Sequence, residues 1–137
     1  LEQRYQLVRK RGRNIGRLGD TDLHRLRIAV KKLRYAAEFF GALFDGSRFG
    51  EFRSAATGLQ EVLGRINDAI AASTMIAGIN QPPQRALTTA CALLAGWNRH
   101  EIHRLKSGLS QDWETFRDAP PFWRDSDLPV SSGVRAI

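Results

Sequence analysis

Apolar residues recur along this chain every three or four positions, and no stretch shows the strict alternation of a half-buried strand. The clearest run is Leu23, Leu26, Val30, Leu33 and Ala37. A second is Leu59, Val62, Leu63, Ile66 and Ile70. At about 100° per residue, each set gathers on one helix face. A shorter N-terminal segment carries Leu1, Val8 and Ile15 along one edge and Leu7, Asn14 and Leu18 along the other. Leu94, Trp97, Leu105, Trp113 and Phe116 mark a fourth apolar stripe, read as core with an interface.

Breakers separate these segments. The first helix is predicted over residues 1–18, ending near Gly19. The second opens at Asp20-Thr21-Asp22, residue types that cap helix N-termini, and runs to Phe44. Asp45-Gly46-Ser47 reads as a turn. The third helix is expected over 48–78, stopped by Asn80-Gln81-Pro82-Pro83, and the fourth over 84–116, stopped by Pro120-Pro121. Short links between long amphipathic helices predict antiparallel neighbours, hence an all-α, antiparallel four-helix bundle. The bundle is expected to occupy residues 1–123 as one domain, with 124–137 a flexible C-terminal tail.

The polar positions of the second helix are as ordered as its apolar ones. With His24 set at zero, Arg27, Lys31, Arg34 and Glu38 all fall within about 80° on one side, and the leucine stripe lies near 140° on that same side. A row of cations therefore runs beside the packing face. Arg25 and Lys32 point elsewhere and read as solvated charges. Arginine presents a planar fork that matches phosphate oxygens, lysine a point charge, and histidine two donors once protonated. Spacing of i, i+3, i+7 and i+10 suits a chain of phosphates better than one phosphate. Taken alone, such a run is more often a solvated helix face.

Two further features bear on that choice. Arg4 and Arg11, seven residues apart on the first helix, fall between its apolar edges, on the side expected to face the bundle. An inward arginine needs a partner, which Glu38 or a bound anion could supply, unless the side chain snorkels to water. On the third helix, Gln60, Gly64, Asn67 and Ala71 share a second face. Gly64 costs about 1 kcal/mol against alanine in a helix interior, which suggests a close backbone approach there. Asn67 could orient a neighbour or tie two helices together. A packing seam with one buried amide is the plainer reading.

Composition narrows the function classes. With 21 Lys and Arg against 14 Asp and Glu, the formal charge is +7, which favours anionic partners. The single cysteine, Cys91, excludes an intramolecular disulfide and fits a reducing compartment. No apolar run is long enough to cross a bilayer and no secretory leader is visible, so the expected location is cytoplasmic. His100 and His103 could begin a metal site, but no Cys or carboxylate cluster completes one. No cofactor-binding or nucleophile motif occurs, and no carboxylate pair suggests catalysis. Tyr35 is the only aromatic near the cationic row, which argues against base-stacking recognition of single strands.

At this point the motifs resemble a known family. LHRLRIAVKKLRYAAEFF, from Leu23 to Phe40, and LQEVLGRINDA, from Leu59 to Ala69, are similar to the two signatures of the CHAD domain, the conserved-histidine α-helical domain. RKRGR, from Arg9 to Arg13, and PPFW, from Pro120 to Trp123, resemble its flanking segments. The resemblance implies a non-catalytic module that binds inorganic polyphosphate, with sulfate or phosphate ions as mimics. His24, Arg27, Lys31 and Arg34 are the contacts it implies most directly, and Arg4, Arg11 and Lys10 are weaker transfers. It also implies association with a CYTH-type domain and with polyphosphate granules. The family domain has two related helical halves, and this chain resembles the C-terminal one, so a homodimer that rebuilds the two-half domain is expected. The competing reading is a general polyanion or nucleic-acid backbone binder using the same charges.

Overall fold

The computed structural model describes residues 1–44, 46–79 and 85–124. Four helices make up nearly all of it: α1 (Glu2–Arg11), α2 (Asp20–Gly41), α3 (Gly46–Ala77) and α4 (Arg85–Asp118), with a single 3-10 turn at Ile15–Arg17 between α1 and α2. No strand occurs among the described residues. The predicted all-α bundle is therefore present. Successive helices pack on one another, and α4 also meets the 3-10 turn. Cross-helix pairs such as His24 with Asn67 and Arg34 with Gln60 run in opposite senses along α2 and α3, as antiparallel neighbours require. Asp45, the Asn80-Gln81-Pro82-Pro83 breaker and the proposed tail from 125 onward lie outside the described residues.

The boundaries differ from expectation where tertiary packing intervenes. α1 stops at Arg11 rather than continuing to residue 18. The cause is Gly12, which sits directly on the Trp113 ring: a Cβ there would fall inside the indole. That close approach requires glycine and redirects the chain. Ile15, one turn later, is buried by the 3-10 turn instead of by a helix. α2 ends at Gly41, which lies against the Phe49 ring in the same way. Its N-cap is Gly19, with no side-chain cap, so Asp20-Thr21-Asp22 form the first turn rather than the cap. Asp20 spends its carboxylate on Lys106 of α4, at 2.8 Å. Gly46 and Ser47 belong to α3, not to a turn.

The apolar stripe of α2 is buried as its pattern predicts: Leu23, Leu26, Val30, Leu33 and Ala37. Leu59, Leu63 and Ile66 of α3 face it. At one end the core is aromatic. Phe52 contacts Tyr5, Phe116, Phe122 and Trp123, with ring centroids 5.0–6.2 Å apart. Truncating a buried Phe of this kind to Ala typically costs about 3–5 kcal/mol. The fourth stripe divides: Leu105, Trp113 and Phe116 are core, whereas Leu94 and Trp97 are exposed. Asn98, which has no precedent in the apolar pattern, is buried and donates to the Ala69 carbonyl and the Ser73 hydroxyl, both at 2.6 Å, tying α4 to α3.

Candidate functional site

Three of the four cationic positions on α2 meet α3. His24 Nδ1 lies 2.6 Å from Asn67 Oδ1. With the amide oxygen turned to the ring, Nδ1 is the donor, which leaves Nε2 for a ligand. One turn on, the Arg27 guanidinium passes over Gly64, whose missing Cβ would stand 3.9 Å from Arg27 Nε. At that distance a Cβ would make only ordinary contact, and no neighbouring backbone among the described residues approaches Gly64 as its cost suggested. Further along, Arg34 Nε donates to Gln60 Oε1 at 2.8 Å and its other arm pairs with Glu38. The second face of α3 noted in the sequence is therefore the counterpart of the cationic row. Asn67, Gly64 and Gln60 hold or accommodate His24, Arg27 and Arg34 in turn.

Arg27 is the exception in this seam. Its Nε is buried and has no hydrogen-bond partner among the described residues. A buried donor left unpaired costs about 1–3 kcal/mol, more for a charged group. Native structures seldom keep one without a use. Lys31 is exposed and lies over the Tyr35 ring at 5.6 Å, while the Arg34 guanidinium covers the same ring at 4.6 Å. Tyr35 is itself half exposed, so it acts as a flat support that keeps both cations extended along the row. Beside His24 and Asn67, a hollow of about 300 Å³ is floored by Leu63, Ile66 and Ile70. Acidic side chains gather elsewhere. Glu51, Asp112 and Asp118 line a groove between α3 and α4, where burial pushes the Asp112 carboxyl above its ordinary range.

Arg4 and Arg11 do not form an inward-facing pair on α1. Tyr5, Val8 and Gly12 take its inward positions, and Arg4 is exposed. The bulk of Tyr5 in the aromatic cluster sets this rotation, leaving Leu7 42% exposed. Arg11 is half-buried and does reach α2, but its partner is the Arg25 carbonyl at 3.0 Å, not Glu38. Lys10 lies in a different groove, between α1 and α4. Arg25 pairs with Asp22 and Lys32 is exposed, in line with their solvated reading. His100 and His103 are both exposed, and no group of three metal-ligating side chains occurs among the described residues. No helix of the described residues is long and apolar enough to cross a membrane. Sequence reasoning missed Gln60 as a site residue, although its shared face with Gly64 and Asn67 carried the signal.

None of the curated proteins and none of the solved structures compared with the chain matches it. A family model does, described as CHAD domain, and it spans residues 1–77. The match covers α1, α2 and α3 and so contains the whole α2–α3 seam, whereas the PPFW segment lies beyond it. Matched over more than half of its length, the chain belongs to the CHAD domain family.

Proposed function

We propose that the α2–α3 seam is a non-catalytic binding surface for inorganic polyphosphate. The observation that carries this reading is the unpaired, buried Nε of Arg27 in the middle of the cationic row. An anionic oxygen entering the seam would draw that donor outward, with the Lys31 ammonium and, once the ring is protonated, the His24 Nε2–H on either side. The row from His24 to Arg34 is about 15 Å long at the helical rise, with cations at successive turns. A polymer of phosphates can engage all of them, while one phosphate meets one or two. The α3 partners are neutral, so they orient the cations without cancelling their charge. Glu38 is the one acid on the row, and Arg34 already occupies it. On this reading the protein works in the cytoplasm and its ligand is the polyphosphate of storage granules.

The test compares two double variants that each remove two positive charges. Arg27→Gln with Lys31→Gln should weaken binding of long-chain polyphosphate by about tenfold or more, equivalent to about 1.4 kcal/mol. Arg25→Gln with Lys32→Gln should cost less than about threefold, as screened charges off the row do. Equal losses would show that net charge alone binds. Wild-type affinity should also fall steeply with salt, through counterion release. If duplex DNA displaces labelled polyphosphate as effectively as unlabelled polyphosphate does at equal phosphate, general polyanion binding replaces the specific reading. Release of orthophosphate from polyphosphate by the purified protein with magnesium would overturn the non-catalytic role.

A further inference from the structure

A second basic concavity lies between α1 and α4. Its walls are Gln6, Arg9, Lys10 and Arg13 on one side and Arg117 on the other, and Trp113 is its floor. The groove holds about 560 Å³. We infer that it is a separate site for a short oligophosphate, distinct from the α2–α3 seam and independent of whether that seam binds polyphosphate.

Four observations support this. First, four cations converge on one groove: Arg9 and Lys10 from α1, Arg13 from the turn after it, and Arg117 from α4. Among the described residues, Asp118 pairs with Arg117 at 2.9 Å and also feels Arg9, and Glu114 acts on Arg117, while Lys10 and Arg13 have no carboxylate in ion-pair contact. Second, Arg9 is already fixed. It donates to the Tyr5 hydroxyl and to the Arg117 carbonyl, each at 3.1 Å, so little side-chain freedom remains to be lost on binding. Third, Lys10 and Arg13 are exposed and make no ion pair among the described residues, so both can turn onto a ligand. Fourth, the floor is an indole that is 6% exposed, and Gly12 is what lets it lie beneath the chain. A low-polarity floor weakens solvent screening of the charges above it. The carbonyl end of α1 opposes an anion here with roughly half a charge, which full charges on Arg9, Lys10 and Arg13 outweigh. A groove of about 560 Å³ has room for a few phosphates rather than a long polymer.

The experiment follows the indole N–H resonance of Trp113 in the full chain during titration with tripolyphosphate. A saturable shift is expected by low millimolar ligand. It should weaken at least about tenfold, some 1.4 kcal/mol, in a Lys10→Gln, Arg13→Gln variant, whose two exposed positions leave the core untouched. It should persist in the Arg27→Gln, Lys31→Gln variant. Loss of the Trp113 shift in that seam variant, or the same shift from sodium chloride at matched ionic strength, would overturn the groove. So would a wild-type Trp113 resonance that does not move. Failure of the seam alone would leave the Trp113 response intact.

Discussion

Arg27 sets a conflict at the level of one residue. A buried, unpaired Nε is a cost that folding alone would remove. Replacing Arg27 by Met keeps an unbranched stem over Gly64 and deletes the unsatisfied donor. Without ligand, Arg27→Met should therefore unfold in urea at equal or higher stability, by up to about 1 kcal/mol, while losing polyphosphate binding. Added polyphosphate should then stabilise the wild type more than the variant, because ligand stabilisation scales with affinity. A loss of more than about 2 kcal/mol in the ligand-free variant would mean that Arg27 is a structural residue. The angular position of Arg27 beside the leucine stripe was legible from spacing alone. Its lack of a partner was not, since that depends on α3 presenting a glycine opposite Arg27 where it presents amides to His24 and Arg34. Gln60, Gly64 and Asn67 share a helix face that the sequence displays, but only the antiparallel register of α2 and α3 turns the shared face into a matching set.

Elements were legible in type and number, and less so at their ends. The stripes of α2 and α3 follow the helical period closely because their burial is uniform. α1 was overextended because Gly12 reads as a mild helix breaker in sequence, whereas its strict requirement comes from Trp113, about a hundred residues away. A related long-range contact anchors the other end of α1. Glu2 accepts from Trp123 Nε1 at 2.8 Å and from Arg124, joining the start of the chain to the PPFW segment. Hydrogen bonds from Arg124, Gln6 and Trp123 lower the Glu2 carboxyl from 4.5 to about 2. A depressed carboxylate pKa stabilises the fold above its unfolded value and loses that contribution as pH falls toward the folded one. The clamp should thus be intact above pH 4.5 and released progressively toward pH 2. Glu2→Gln, which cannot carry the charge, should melt below the wild type at neutral pH. The gap in melting temperature should close across that acid window, with a matching change in Trp123 fluorescence. Because the carboxylate is solvent-accessible, the gap should be small and shrink with salt. A gap that stays constant with pH would assign the clamp to packing rather than to charge.

At the scale of the molecule, the helices are unequal. α3 and α4 contain 32 and 34 residues against 22 in α2, and His24 pairs with Asn67, so α3 runs on about 9 Å past the start of α2. The overhang is apolar where it should be polar if it stood in water. Met75 is 74% exposed, Leu93 69% and Trp97 67%, and Ile79, Leu87 and Leu94 are exposed as well. Large apolar side chains exposed in this number on two packed helices mark an interaction surface. The sequence showed the same stripe without showing that α2 is too short to cover it, which is why Leu94 and Trp97 were assigned with the core. We propose that a second copy of the chain covers it, because an isologous pair joins like apolar surfaces by symmetry. The hollow next to His24 reaches as far along α3 as Ile70 and Ala71. Pairing through the overhang would therefore bring a second cationic row close to the first and lengthen the track for a phosphate chain. Sedimentation or light scattering should give a dimeric mass for the wild type and a monomeric mass for Leu93→Glu with Trp97→Glu, whose substitutions lie on exposed positions and leave the core intact. Long-chain polyphosphate should bind the monomeric variant more weakly, whereas tripolyphosphate, too short to reach both rows, should bind both forms alike. A wild-type chain that remains monomeric at high concentration would sink the pairing and leave the α2–α3 seam to act alone.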